Sequence, residues 1–148
     1  MRFWRIASHA DLSGEGGLRA AGRWHSKGRR VVYLADHPAS ALIEVLAHLE
    51  IDVEDFPTDY QLLSVDASDD VAVTALDVAG LPADWRQQTL LTRARGDDWL
   101  RTSANALLRV PSAIVPSASN YLLNPAHPDA QRLVVAETVR ATFDPRLL

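Results

Sequence analysis

Apolar and polar positions along this chain change period several times, and each change marks an element. Phe3 to Ala7 predicts a short opening strand. A polar, glycine-rich segment follows, Ser13-Gly14-Glu15-Gly16-Gly17-Leu18-Arg19, and glycine's freedom in φ predicts a flexible loop there. Val31 to Ala35 is β-branched and aromatic, the composition of a buried strand. Asp36 and Pro38 mark a helix start, with Pro38 in the first turn. That helix is expected from about Ala39 to about Glu50. Its apolar positions, Leu42, Ile43, Val45, Leu46 and Leu49, cover most of its circumference, which predicts a core helix.

The second half reads less regularly. Tyr60 to Asp66 and Val71 to Leu76 are two strands joined by the polar turn Ala67-Ser68-Asp69-Asp70. Gly80 to Asp84 breaks the pattern, and a helical region begins near Asp84 with Trp85, Leu90 and Leu91. It is expected to break around Gly96-Asp97-Asp98 and to resume from Trp99 to Leu108. Arg109 to Val115 is a strand candidate, and Pro111 points to a sheet edge or a bulge. Asn120-Tyr-Leu-Leu-Asn-Pro-Ala-His-Pro is a loop fixed by two prolines, and Leu133 to Phe143 alternates as a closing strand. Strands outnumber helices without a regular βαβ repeat, so the expected class is α+β: one compact domain over residues 1–148 with a mixed or antiparallel sheet.

Composition narrows the function. With 148 residues, one core is expected. There are no cysteines, so disulfides, thiolate nucleophiles and thiolate metal sites are excluded. No apolar run reaches the ~18 residues of a membrane span, and the N-terminus has no signal-peptide core; a cytoplasmic protein with no membrane contact is expected. The net charge is −4, which argues against direct nucleic-acid binding. One local basic run stands out: Arg19, Arg23, Lys27, Arg29 and Arg30. Trp85 and Leu147-Leu148 are candidates for exposed apolar surface.

Three residues carry the candidate chemistry: Arg23 in Gly-Arg-Trp-His, Tyr33 in the Val-Val-Tyr-Leu strand and Glu44 in the aliphatic helix. A guanidinium fork suits a pyrophosphate or carboxylate, although an arginine stacked on Trp24 at the surface is the plainer alternative. Tyr33 is by default a core tyrosine with its hydroxyl satisfied. Glu44 shares a helix face with His48, and a carboxylate among aliphatics needs partners, by default Arg or His, or a cleft. The glycine run lacks the strand-before, helix-after context of a dinucleotide fingerprint. His25, His37 and His127 lie in separate loops and no His-Glu-x-x-His is present, so no metal is expected. A triad of Ser112 or Ser117 with His127 and Asp129 lacks the nucleophile elbow of an acyl hydrolase.

Taken with their flanking sequence, these residues resemble the RES family, the toxin half of RES–Xre type II toxin–antitoxin pairs. The likeness runs through Phe3-Trp-Arg-Ile, Gly14 to Gly28, Val31 to Leu49, Val110-Pro-Ser-Ala-Ile-Val-Pro and Asn120 to Pro128. His25 stands where many relatives carry Asn. The resemblance implies an ADP-ribosyltransferase-like fold and an NAD+-consuming enzyme that inhibits growth. It leaves hydrolysis, phosphorolysis and transfer of ADP-ribose to a protein open. It places the functional residues on Arg23, Tyr33, Glu44 and Ser112, with Ser117 the weaker serine. Arg23 would hold the pyrophosphate, Tyr33 and Trp24 would line the NAD+ pocket, Glu44 would stabilise the ribosyl cation, and Ser112 would hydrogen-bond nicotinamide or ribose. It also implies no prosthetic group, an Xre-type antitoxin partner and a homodimer. A non-catalytic antitoxin-binding module serving operon autoregulation is the rival class.

Overall fold

The computed structural model describes residues 1–48 and 58–147. The expected helix end at Leu49 and Glu50 lies outside the described residues, as does Leu148. The architecture is α+β, as expected. A seven-stranded mixed sheet runs in the order β4-β5-β6-β2-β1-β3-β7. Its strands are β1 (Arg2–Ile6), β2 (Val32–Ala35), β3 (Asp59–Ala67), β4 (Val73–Ala75), β5 (Leu107–Pro111), β6 (Ser119–Leu123) and β7 (Leu133–Thr142). Only the β4–β5 pair among them is parallel. The α-helices are α1 (Glu15–Arg19), α2 (Pro38–His48) and α3 (Thr89–Thr102).

The period-2 alternation of the central strands buries both faces of the sheet. Val32, Leu34, Leu107 and Leu123 join Phe3 and Val65 in one core. Leu108, Val110 and Leu122 face the other way and pack with Trp24, Trp85, Trp99 and Leu100, with Tyr33 against them. The site is built on this second face. Trp85, expected at the surface, is only 5% exposed; its indole lies 5.8 Å from that of Trp24. Leu147 is exposed, as expected. No helix among the described residues is long and apolar enough to cross a membrane.

Several elements differ from the sequence reading, each for a local reason. The glycine-rich segment contains α1, entered through Gly14 in the left-handed region at φ 72°. The segment is packed rather than loose: a Cβ on Gly17 would lie 2.2 Å from the Arg29 carbonyl. Helix α2 begins at Pro38 as expected, and the His37 imidazole accepts from the Ala39 N–H to cap it. Helix α3 runs unbroken through Gly96 and stops at Ser103, which takes the left-handed conformation at φ 49°. Of the stretch expected as a resumed helix, Trp99 to Thr102 is helical within α3, and Leu107 and Leu108 open strand β5 instead.

Strand β5 also ends at Pro111 rather than Val115 and is interior, not an edge. Pro111 is tolerated because β4 pairs only with Leu107 to Arg109, so the missing N–H falls beyond that ladder. Strands β3 and β4 do not form a hairpin; the turn after Ala67 sends the chain to the far edge of the sheet. Of the segment expected as a loop, Asn120 to Leu123 belong to strand β6, paired on both sides by β2 and β5, and Asn124 to His127 form the turn that follows.

Gly96 sets how closely α3 approaches. A Cβ there would meet the Trp24 carbonyl oxygen at 1.6 Å. Both are backbone-fixed, so neither yields easily. Gly96→Ala is therefore expected to destabilise the fold by at least about 1–3 kcal/mol in urea unfolding. Gly16→Ala, where the new methyl meets nothing within 4 Å, is expected to be neutral or to gain up to about 1 kcal/mol.

Candidate active site

Strands β1 and β2 touch at a single register pair, Trp4 with Ala35, and then part. A cavity of about 340 Å³ opens beside that junction, within the rough range of 300–1,000 Å³ for small-molecule sites. Its walls come from β1 (Trp4, Arg5, Ile6), β2 (Tyr33, Ala35), the turn at Gly22–His25 and helix α2. Arg23, Trp24, Tyr33 and Glu44 all line it. Ser112 does not. Ser117 is exposed with φ 66° and does not line it either.

Helix α2 presents Ala41, Glu44, Val45 and His48 to the cavity, the i, i+3, i+4, i+7 spacing of one helix face. The partners of the Glu44 carboxylate are neutral rather than the expected Arg or His. Its Oε1 accepts from Asn120 Nδ2 at 2.7 Å and from Ser112 Oγ at 3.0 Å. Its Oε2 makes no hydrogen bond among the described residues. His48 is spent elsewhere, its Nδ1 donating to the Glu44 backbone carbonyl at 2.6 Å. Two neutral donors on one oxygen hold the carboxylate in a single orientation without cancelling its charge.

Ser112 is 3% exposed. Its hydroxyl gives its proton to Glu44 and accepts the N–H groups of Ile114 and Val115, each at 3.1 Å. Asn120 sits where β6 opposes Ala35 of β2 and Val110 of β5, and it lines the cavity. Expected in a loop, Asn120 carries no site signal in the sequence. Asn120 and Leu122 alternate with Tyr121 and Leu123 as a strand does, but Asn124-Pro125 masked the signal.

The cationic side is built by two arginines. Arg23 Nη1 donates to the Arg86 carbonyl at 2.9 Å. The turn that carries Arg23 is clamped by α3: Thr92 donates to the Arg23 carbonyl at 2.6 Å, Arg93 to the Gly22 carbonyl at 2.8 Å, and Asp97 accepts from Ser26 N–H and Oγ. Arg5, which the sequence reading treated only as part of a strand, is half-buried on the cavity wall. Its Nε is buried without a hydrogen-bond partner among the described residues. Burial pushes its guanidinium pKa down, with only Asp11 opposing. An unpaired buried donor of this kind suits an anionic ligand. The rest of the basic run is largely engaged: Arg19 pairs with Glu15, Arg29 with Asp97, and Arg30 donates to the Ser13 carbonyl.

Tyr33 accepts from the Trp24 N–H at 3.1 Å and meets His25 Nδ1 at 2.8 Å. Burial raises its phenol pKa, so it stays neutral. Gly22 is required beside it: a Cβ there would lie 2.4 Å from the Tyr33 oxygen and 2.9 Å from His25 Nδ1. Trp24 is 2% exposed and meets the cavity from within the core. The serine–histidine–aspartate triad is not assembled, because His127 Nδ1 accepts the Asp129 N–H at a helix cap while Ser112 serves Glu44. Among the described residues no cluster of three or more His, Asp or Glu is placed to hold a metal.

A domain of this architecture, with a carboxylate, a phenol and two guanidinium groups on one cleft, is matched by the RES domain profile over residues 2–144. The chain belongs to the RES family. It is 53% identical to a "Toxin Res" of Pseudomonas putida over 88% of this chain and 89% of that protein. It is 36% identical to the "Prs ADP-ribosylating toxin" of a Sphingobium species over 99% of this chain and 96% of the relative. The fold also superposes on a chain of the M. tuberculosis MbcT–MbcA toxin–antitoxin crystal structure. The TM-score is 0.75 at 22% identity, covering 99% of this chain and 85% of that one.

The site makes stability depend on pH through His25. The ring is 3% exposed. Burial lowers its pKa, against the Ala20 and Gly17 carbonyls and Asp97, which raise it. A depressed folded value means that the unfolded chain takes up the proton first. The folded state keeps its full stability above the unfolded value of about 6.5 and loses it as pH falls toward the lower folded value. Urea midpoints measured from about pH 8 down to about pH 5 are expected to decline below about 6.5, and less steeply in His25→Asn.

Proposed function

We propose that this protein cleaves the nicotinamide–ribose bond of NAD+ and acts as the toxin of a toxin–antitoxin pair. The observation that carries the reading is the Glu44 carboxylate, fixed through one oxygen by Ser112 and Asn120 with the other unbonded among the described residues, beside the cavity. Cleavage sends the bonding electrons to the pyridinium nitrogen, releases neutral nicotinamide and leaves an oxocarbenium-like ribosyl cation, as glycoside cleavage does. A preorganised anion beside that cation lowers the barrier, and such electrostatics is usually the largest catalytic contribution.

Arg23 and Arg5 are suited to the pyrophosphate, and the face of Tyr33 to nicotinamide. The Tyr33 hydroxyl is already engaged with Trp24 and His25, so the ring rather than the oxygen meets the substrate. Ser112 acts through Glu44 rather than on the substrate. NAD+ is substrate, and the reaction needs no prosthetic group. Water attacking the ribosyl carbon gives ADP-ribose and a proton; phosphate attacking it gives the 1″-phosphate.

A second reading, transfer of ADP-ribose to a protein side chain, is favoured by the likeness to a relative named as an ADP-ribosylating toxin. An antitoxin partner is proposed on the neighbour solved as a toxin–antitoxin complex. Its Xre type and a toxin homodimer rest on the family resemblance.

Chromatography of NAD+ incubations, with and without phosphate, should show nicotinamide together with ADP-ribose or its 1″-phosphate. A labelled protein band without bulk NAD+ loss would favour the transferase instead. Ser112→Ala and Asn120→Ala should each lower kcat about tenfold, the scale of one hydrogen bond to a charged group. Because both act on one oxygen, the double variant should be non-additive. Unchanged kcat in both single variants contradicts the proposed use of Glu44.

A further inference from the structure

His25 is the one buried histidine among the described residues, and its two ring nitrogens meet different kinds of partner. Nε2 lies 2.9 Å from the Ala20 carbonyl. A carbonyl only accepts, so Nε2 carries the proton. In the neutral ring Nδ1 is then a bare acceptor. It faces the Tyr33 hydroxyl at 2.8 Å, so Tyr33 donates to it and keeps its lone pairs for the Trp24 N–H at 3.1 Å. The protons run one way: Trp24 N–H to Tyr33, Tyr33 O–H to His25, His25 Nε2–H to Ala20. This relay joins the strand that carries Tyr33 to the turn that carries Arg23.

We infer that His25 is a positioning residue for the candidate active site, holding the Tyr33 ring and the Arg23 turn in register only while it is neutral and protonated on Nε2. A second proton would put an N–H on Nδ1, facing the Tyr33 oxygen. The Tyr33 hydroxyl proton would then lose its acceptor, and the Gly22 backbone crowds the space beside it. The groups facing His25 are the Tyr33 phenol from β2, Arg93 and Asp97 from α3, and the Gly17 and Ala20 carbonyls at α1. Asp97 favours the charged ring and Arg93 opposes it. Asp97 is also engaged by Ser26 and Arg29, so the ring has no carboxylate partner of its own among the described residues.

Two substitutions separate the ends of the ring. Asparagine places an oxygen where Nδ1 stands, so His25→Asn keeps the Tyr33 acceptor and cannot titrate. Glutamine reaches the Nε2 position, so His25→Gln keeps the Ala20 contact and loses the Tyr33 acceptor. The kinetic arm rests on the NAD+ reading above. Nicotinamide release is followed against pH, with melting midpoints confirming that each variant folds. Wild type should lose kcat on the acid side. His25→Asn should stay within about threefold of wild type at neutral pH and lack that acid limb. His25→Gln should fall about tenfold in kcat/KM, as for one lost hydrogen bond.

Equal losses in both variants, or an acid limb retained in His25→Asn, overturn the inference. Nitrogen-15 NMR of His25 in the wild-type protein needs neither turnover nor a variant. An Nε2–H neutral tautomer at neutral pH supports the inference, and an Nδ1–H tautomer or a charged ring overturns it. Were wild type to release no nicotinamide, the NAD+ reading would fall and the tautomer alone would decide the role of His25.

Discussion

The cationic and aromatic side of this site depends on docking one short turn, Gly22 to Ser26, against helix α3. A turn buried between a helix and a sheet must satisfy its own peptide groups. Here Thr92 and Arg93 take the carbonyls of Arg23 and Gly22, Asp97 holds Ser26, and the Tyr33 hydroxyl takes the Trp24 N–H. The contact is so close that α3 must present glycine at position 96 to the Trp24 carbonyl. Gly22 is required on the opposite side, against Tyr33 and His25. Gly96 lets backbone approach backbone, and Gly22 lets the turn close against the Tyr33 and His25 side chains.

The anionic half of the cleft is positioned independently. Glu44 arrives on α2, which packs on β1 and β2, and its partners come from the residue after β5 and from β6, on the far side of β2. Neutral donors are the informative feature. An arginine or lysine partner would have tethered the carboxylate and cancelled much of its field. Hydroxyl and amide donors tether it and leave the field in place. Cations on one wall and an uncancelled carboxylate on another are what the proposed NAD+ cleavage requires: a hold on an anionic diphosphate and an anion beside a cationic, bond-breaking centre.

The strongly periodic parts of the chain were legible in its sequence. Val31 to Ala35 and the helix after Pro38 have one period each and little competition, so Tyr33 and Glu44 could be placed on the right kind of element. The errors fall where tertiary contacts override local preference. Gly96 costs helix propensity, yet α3 continues because the glycine allows close packing on Trp24. Asn120 lies in a short strand held between β5 and β2, the latter far away in sequence. Pro111 ends an interior strand without penalty because its neighbour stops short. Arg5 and His25 were missed for a different reason: their importance lies in which atoms stay unpaired or change partners, and no residue pattern encodes that.

The resemblance and the geometry meet at Glu44, and its charge is the quantity to remove. Glu44→Gln keeps an oxygen for Ser112 and Asn120 while deleting the negative charge. Titration calorimetry with NAD+ and single-turnover nicotinamide release, run on the same preparations, separate binding from bond cleavage. With Glu44 stabilising the ribosyl cation, NAD+ affinity should stay within about threefold of wild type while the cleavage rate falls at least about a hundredfold, the scale of losing one preorganised electrostatic group. Equal cleavage rates in wild type and Glu44→Gln would contradict that role.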